Sequence, residues 1–327
     1  MNMWKHIFLT ALMGAVVASP VAAQSEQTWS FSGIDRIDLE GTSGDLEIRL
    51  ADGNELELRL EQNVNPDGAF RGEVEQRGST LRIREEWGRG RNRGSVRWML
   101  AVPASARPTI AMDTASGDVE AESLNARFEI DTASGGFVLR GGGVLTGSGI
   151  STASGDIELS NVTVGDDVDM RTASGDIDFD GVTGGRGFEF KTSSGDVTVR
   201  NSTGIVEARS ASGNVDIYAS EFSGASSFSA ASGNVTVELA AIPAQELELS
   251  SSSGNVELTA GFGSDFTLVM SKRQDRGRIR SPFAFTSEET YERNGQTYDR
   301  KTVIRGSGGP EIHLSTASGN VEVREGR

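Results

Sequence analysis

From residue 25 onward apolar and polar side chains alternate along the chain, as in Val168, Met170 or Phe188, Phe190, and no stretch carries the 3.6-residue period of an amphipathic helix. This pattern predicts a chain that is nearly all β. The alternation is punctuated by Ser-Gly pairs with glycines at Gly117, Gly135, Gly155, Gly175, Gly195, Gly213, Gly233 and Gly254, and a further one at Gly319. The intervals between the first eight are 18, 20, 20, 20, 18, 20 and 21 residues. A recurring period of that length marks a repeat architecture.

Each unit reads apolar-x-apolar-x-Thr/Ser-x-Ser-Gly-Asp/Asn-apolar-x-apolar, as in Phe188, Phe190, Thr192, Ser194, Gly195, Asp196, Val197, Val199. Inward residues keep one parity before the glycine and the other after it. A period-2 strand cannot change faces without an irregularity, so the Ser-Gly-Asp/Asn step is predicted to be a bend or bulge joining two short strands. Glycine supplies backbone freedom there, and Asp or Asn closes the turn through its side chain. One unit cannot bury its own apolar residues, so units must stack, each strand pairing with its equivalent one turn away. The predicted fold is an all-β parallel β-solenoid of roughly 20-residue turns with non-repeating β caps at both ends. Stacking turns the Thr positions (Thr114, Thr132, Thr152, Thr172, Thr192, Ser210) and the Ser positions (Ser116 through Ser253) into two hydroxyl columns, both expected to point into the corner.

Gly41, Ser43, Gly44, Asp45, Leu46 and Ile48 carry the motif in degenerate form. Strand patterns follow at Leu56 to Leu60, Leu81 to Ile83 and Val96 to Val102, expected to cap the first turn and cover its open edge. Between Gly254 and Gly319 the repeat is interrupted, and Asn294-Gly295 signals a hairpin between Tyr291 and Tyr298. The resulting division is a secretory leader (1–23), an N-terminal β region and cap (24–108), the repeats (109–260), an insertion with a hairpin (261–310) and a final turn (311–327). The leader assignment rests on Lys5, an apolar stretch from Ile7 to Ala18 and small residues at Val21 and Ala23.

Composition narrows the chemistry. The chain has 327 residues, no cysteine and a net charge of −16. Without residues 1–23, whose single charge is Lys5, 30 basic and 47 acidic side chains remain, a net of −17. Such a surface disfavours nucleic acid as a partner. No later segment approaches the ~20 apolar residues of a membrane-spanning helix. A disulfide framework and a lipid-bearing cysteine are excluded, and cysteine nucleophiles with them. Outside the leader His313 is the one histidine, on an outward parity between Ile312 and Leu314, which argues against both a Ser-His-Asp centre and an ordinary zinc site.

Tandem Thr-Ala-Ser-Gly-Asp-Ile units, at Thr152 to Ile157 and Thr172 to Ile177, resemble those of bacterial envelope proteins of unknown function grouped as adhesins with β-strand repeats. The closing run from Gly308 to Asn320 resembles that family's usual ending. The resemblance covers nearly all of the chain after the leader. It implies the solenoid and an envelope location, implies adhesion by analogy, and brings no catalytic residues.

Two basic clusters interrupt the acidic background. Arg82, Arg84, Arg89, Arg91, Arg93 and Arg97, interleaved with Trp87 and Trp98, face two glutamates in sequence, Glu85 and Glu86; Lys272, Arg273, Arg276, Arg278 and Arg280 surround a single Asp275. Both are candidate sites for an anionic ligand. Asp156, Asp176 and Asp196 occupy equivalent corners of consecutive turns, where like charges about 5 Å apart repel by ~1 kcal/mol in water. A calcium ion would relieve that repulsion, but from Gly213 onward the position is Asn, so a turn-closing role accounts better for both residue types. The sequence thus points to a non-enzymatic exported protein, in the periplasm or at the cell surface, that needs no cofactor. It is expected to act as an interaction or adhesion scaffold for an envelope polymer or protein. Its rivals are a polysaccharide-acting β-helix enzyme and a passive spacer; short, uniform turns and an aromatic content of 6% provide no cleft for the first.

Overall fold

The computed structural model describes residues 25–186 and 188–326; the leader assigned to residues 1–23 lies outside them. Every element among the described residues is a strand, and the strands build a parallel solenoid. A rung is named here by its corner glycine. In the Gly175 rung, Val168–Thr172 forms the first face and Ile177–Asp180 the second. Val168, Met170 and Thr172 pair in register with Phe188, Phe190 and Thr192 of the next rung, and Ile177 and Phe179 with Val197 and Val199. The side chains at these paired positions are buried, and Phe179, Phe188 and Phe190 meet with ring centroids 4.1–5.7 Å apart. Stacking thus makes one continuous apolar column from units that individually have nothing to pack against.

A third, very short side closes five of the rungs. It consists of Gly143–Val144, Thr163–Val164, Thr183–Gly184, Thr203–Gly204 and Glu221–Phe222, paired in parallel. Two residues do not display a period, so a two-strand unit was all the alternation predicted. The corner before this side is turned by a residue in the left-handed region, among them Asn161 (φ 55°), Gly181 (φ 67°) and Asn201 (φ 51°).

The Ser-Gly corner works differently from the expectation. Its glycines are not selected by left-handed backbone. A Cβ on Gly175 would lie 2.0 Å from the carbonyl oxygen of Gly155, and the same close approach recurs from Gly117 to Gly319. Glycine is required because each corner sits directly on the one before it. The Thr column points inward as expected: the Thr172 hydroxyl accepts the Gly175 N–H at 2.9 Å and donates to the Gly155 carbonyl at 3.0 Å. The Ser column does not. Ser116, Ser134, Ser154, Ser174 and their equivalents are exposed, because the parity switch takes place between Thr and Gly and leaves the two intervening residues outside.

Both ends depart from chain order. The first rung, Arg36–Glu40 with Asp45–Ala51, pairs on one side with the Gly117 rung and on the other with Thr80–Trp87 and Arg93–Pro103. Antiparallel strands Leu56–Asn65, Ser25–Phe31 and Phe70–Arg77 extend the sheets beyond it. At the other end the last repeat, Glu311–Thr316 with Val321–Glu325, is not terminal. It lies between the Gly254 rung and a further one supplied by the insertion, in which Phe266–Arg273 pairs with Glu311–Thr316 and Ile279–Arg280 with Val321 and Glu322. In that rung Lys272 stands in the Thr column opposite Thr316, and Gly277 in the glycine column against Gly319. The insertion therefore contains a degenerate repeat. Ser287–Arg293 and Gln296–Arg305 form the hairpin at the Asn294-Gly295 turn, both turn residues having positive φ.

Candidate functional site

The two basic clusters lie at opposite ends of the stack. From the Gly44 rung to the Gly277 rung there are ten steps, roughly 48 Å at ~4.8 Å each. At the N-terminal end Arg84 pairs with Glu40 at 3.0 Å, Arg82 lies across from Glu75, and Arg97 lies across from Asp45 and Glu61. Arg89, Arg91 and Arg93 remain exposed. Trp87 is half-buried against Phe70, with centroids 5.0 Å apart. Trp98 is fully buried and stacks on Trp29, which takes it out of reach of any ligand.

Its indole N–H donates to Glu85 at 2.9 Å, and the other oxygen of that carboxylate accepts the backbone N–H groups of Thr42, Ser43 and Gly44 at 2.8, 3.2 and 3.3 Å. In interior rungs such corner amides reach back to the previous rung, as Ser174 N–H does to Ala153 O at 3.0 Å. The strands beyond the first rung, Thr80–Trp87 and Arg93–Pro103, make no corner of that kind, and Glu85 takes its place. Nothing in the sequence singles out Glu85, whose role depends on the return of a distant hairpin.

At the C-terminal end Lys272 is likewise structural. It is buried, pairs with Asp299 at 2.7 Å and donates to the carbonyls of Arg273 and Gln274 at 3.3 and 3.0 Å. Arg273 is half-buried, while Arg276, Arg278 and Arg280 are exposed, Arg280 standing 3.7 Å from Glu322.

Asp156, Asp176 and Asp196 stand in one column, but each carboxylate is occupied. Its Oδ1 accepts the backbone N–H of the same position in the next rung: Asp156 from Asp176 at 2.8 Å, Asp176 from Asp196 at 2.8 Å, Asp196 from Asn214 at 2.6 Å. Asn214, Asn234 and Asn255 continue the ladder at 2.8–2.9 Å. The side chain links rungs rather than closing its own turn, and an amide oxygen serves as well as a carboxylate. Among the described residues no three His, Asp or Glu side chains gather where one ion could hold them. His313 is half-exposed, 3.6 Å from Glu311 and 3.7 Å from Glu246.

A concavity of about 700 Å³ forms an open groove on the first face and its corner, flanked by the hairpin. Its floor follows one outward column in register: Lys191, Arg209, Ser229, Ser250, Ser315 and Ser271. The hairpin contributes Tyr291, Tyr298, Arg293 and Asn294. The two tyrosines stack at 5.5 Å, and the Arg300 guanidinium lies 4.3 Å from the Tyr291 ring centre. Sequence reading identified the hairpin but not the groove, which appears only when the register of the outward column is known.

Residues 34–276 match the family model described as Toastrack DUF4097. Among solved structures, a candidate adhesin from Parabacteroides distasonis ATCC 8503 is 11% identical over 92% of this chain and 97% of its own, with a TM-score of 0.38. A candidate adhesin from Bacteroides fragilis NCTC 9343 is 11% identical over 93% and 98%, with a TM-score of 0.36. A candidate lipid-binding protein from Parabacteroides distasonis ATCC 8503 is 14% identical over 92% and 97%, with a TM-score of 0.35. The chain matches none of the curated proteins.

Proposed function

The chain belongs to the Toastrack DUF4097 family, and from that premise we propose that it is a non-enzymatic protein of the cell envelope serving as an interaction or adhesion scaffold. The observation that supports this most directly is the use made of polar groups at the corners. From Thr152 onward the hydroxyls of the Thr/Ser column, and along the stack the Asp and Asn side chains and the corner amides, are engaged between rungs. Such bonding produces a stiff rod with large regular faces, and among the described residues no nucleophile, base and orienting group come together. Export, to the periplasm or the surface, is part of the proposal and is supported by the Met1 to Ala23 segment.

The test is retention of the purified full chain on isolated envelope fractions, against an unrelated all-β protein of matching net charge. Retention above that control supports the scaffold. Equal retention, or depolymerisation of an envelope polysaccharide by the chain, overturns it.

A further inference from the structure

The geometry points to the hairpin-flanked groove as a binding site for an acidic polysaccharide, lying along the stack axis across successive rungs. This deepens the scaffold reading and rests on it. The groove combines three properties.

Hydroxyls on its floor are free. The corner Thr column spends its hydroxyls internally, whereas Ser250 and Ser315 point outward and make no side-chain hydrogen bond to the protein. They recur at the rung repeat of ~4.8 Å, close to the length of one pyranose unit in an extended chain. A linear saccharide laid over them meets a donor and acceptor at each step.

Cations gather along the groove. Lys191, Arg209 and Arg293 line the groove against the single carboxylate of Glu248, in a chain whose net charge is −16. Lys191 and Arg209 are each held by the acid two residues back, Glu189 and Glu207, whose side chains line a separate depression. That pairing fixes the cationic head groups in place and leaves further N–H donors for a carboxylate, sulfate or phosphate on a sugar.

The wall is aromatic. Tyr291 and Tyr298 form a stacked pair flanking the hydroxyl floor. A pyranose ring presents an apolar C–H face that packs on such a platform while its hydroxyls reach the floor. An extended peptide fits less well. The floor is a sheet face whose backbone groups are spent between rungs, so it cannot add a strand, and no deep apolar pockets receive alternate side chains.

The experiment measures equilibrium binding of the full chain to polygalacturonate oligomers, with dextran oligomers as the uncharged sugar and polyglutamate as the polyanion without sugar. Binding of polygalacturonate in preference to both is expected. Replacing both Tyr291→Ala and Tyr298→Ala should weaken it about tenfold or more, from lost ring stacking. Ser250→Asp, which leaves the hairpin untouched, should weaken it comparably by adding charge to the floor. Arg49→Ser, an exposed residue on the second face of the first rung and outside both basic clusters, should leave it unchanged. Polyglutamate binding as tightly, indifference to both groove variants, or absence of polygalacturonate binding each overturns the site. The scaffold reading is judged separately: retention on envelope fractions that survives the groove variants leaves the scaffold standing without this site.

Discussion

Glu85 and Lys272 are counterparts at opposite ends of one column of corners, and their charges are opposite because the ends of a parallel stack have opposite polarity. Each rung donates corner N–H groups to carbonyls of the rung before it, as Ser134 does to Ala115 and Ser194 to Ala173. The first corner therefore has donors that no earlier corner accepts, and the last has carbonyls that no later corner reaches. A carboxylate answers the amides of Thr42, Ser43 and Gly44, and an ammonium answers the carbonyls of Arg273 and Gln274. The arrangement parallels the capping of a helix, where orphan groups at each end select the charge that satisfies them.

Glu85→Ala should destabilise the N-terminal end by about 2 kcal/mol, since three amides and the buried Trp98 indole lose a charged acceptor. Glu85→Gln, which keeps an acceptor oxygen, should fall between Ala and the parent. Amide hydrogen exchange at Thr42 to Gly44 reads the effect directly. Protection unchanged in the Ala variant would refute the capping role. Gly44→Ala should mimic it, because the added Cβ would lie 1.8 Å from Glu85 Oε1.

Lys272→Met should open the far end. It removes the partner of the Asp299 carboxylate and the donor to two carbonyls, a loss of about 3 kcal/mol for a buried pair broken on one side. The double variant Lys272→Met with Asp299→Asn should recover part of that loss. Urea unfolding of the two variants provides the comparison, and equal midpoints would show that the ion pair contributes nothing beyond packing.

Gly175→Ala and Gly149→Ala make the same chemical change with opposite expectations. At Gly175 the new methyl would overlap the Gly155 carbonyl oxygen, so the stack must part locally, at a cost of about 3 kcal/mol or more. Gly149 has no atom within 4 Å of its would-be Cβ and no positive φ, so the change should be neutral or stabilise by about 0.5 kcal/mol. Thermal unfolding of both distinguishes close approach from backbone freedom as the reason for the glycine column; equal destabilisation would sink the close-approach account.

The glycine spacing and the parity switch made the solenoid legible, because both are properties of a chain stacking on itself. What escaped the sequence depends on non-repeating neighbours. Trp98 reads as one of two aromatics interleaved in a basic cluster until Glu85 and Trp29 are seen to enclose it. Lys272 reads as one more cation, although Gly277 five residues later holds the glycine column of a rung too degenerate for its motif to show. Thr163–Val164 and the other two-residue strands are too short to carry a period. The groove was invisible for a further reason: the Lys191, Arg209 and Ser250 column is defined by register across rungs, not by spacing along any one of them.

Ala230 marks the one interior rung whose Thr/Ser position lacks a hydroxyl, between Ser210 and Ser251. Its neighbours donate to the glycine carbonyl one rung back and accept from their own corner glycine, at 2.8–2.9 Å. Ala230→Ser supplies both bonds to Gly213 and Gly233 in a site already shaped for them. A gain of about 1 kcal/mol in chemical unfolding is expected, and a loss of stability would show that this rung packs differently from its neighbours.

Asp216 on the second face has its carboxyl pushed up, first by burial and also by the Asp196 carboxylate, against the opposing pull of Thr236 and Arg200. The folded chain therefore holds that proton more tightly than the unfolded chain, whose aspartates titrate near ~3.9. The sign follows from linkage: this group favours folding most below the unfolded value, and its contribution declines as pH rises from there through the folded value, leaving a constant penalty above it. Asp216→Asn removes the charge and should raise the unfolding midpoint relative to the parent at pH 7, with the difference shrinking toward pH 3. Urea midpoints across that range give the test. A difference that stays constant with pH would assign the effect to packing, and a variant less stable at pH 7 would mean that the ionised Asp216 is held by Arg200 more strongly than burial disfavours it.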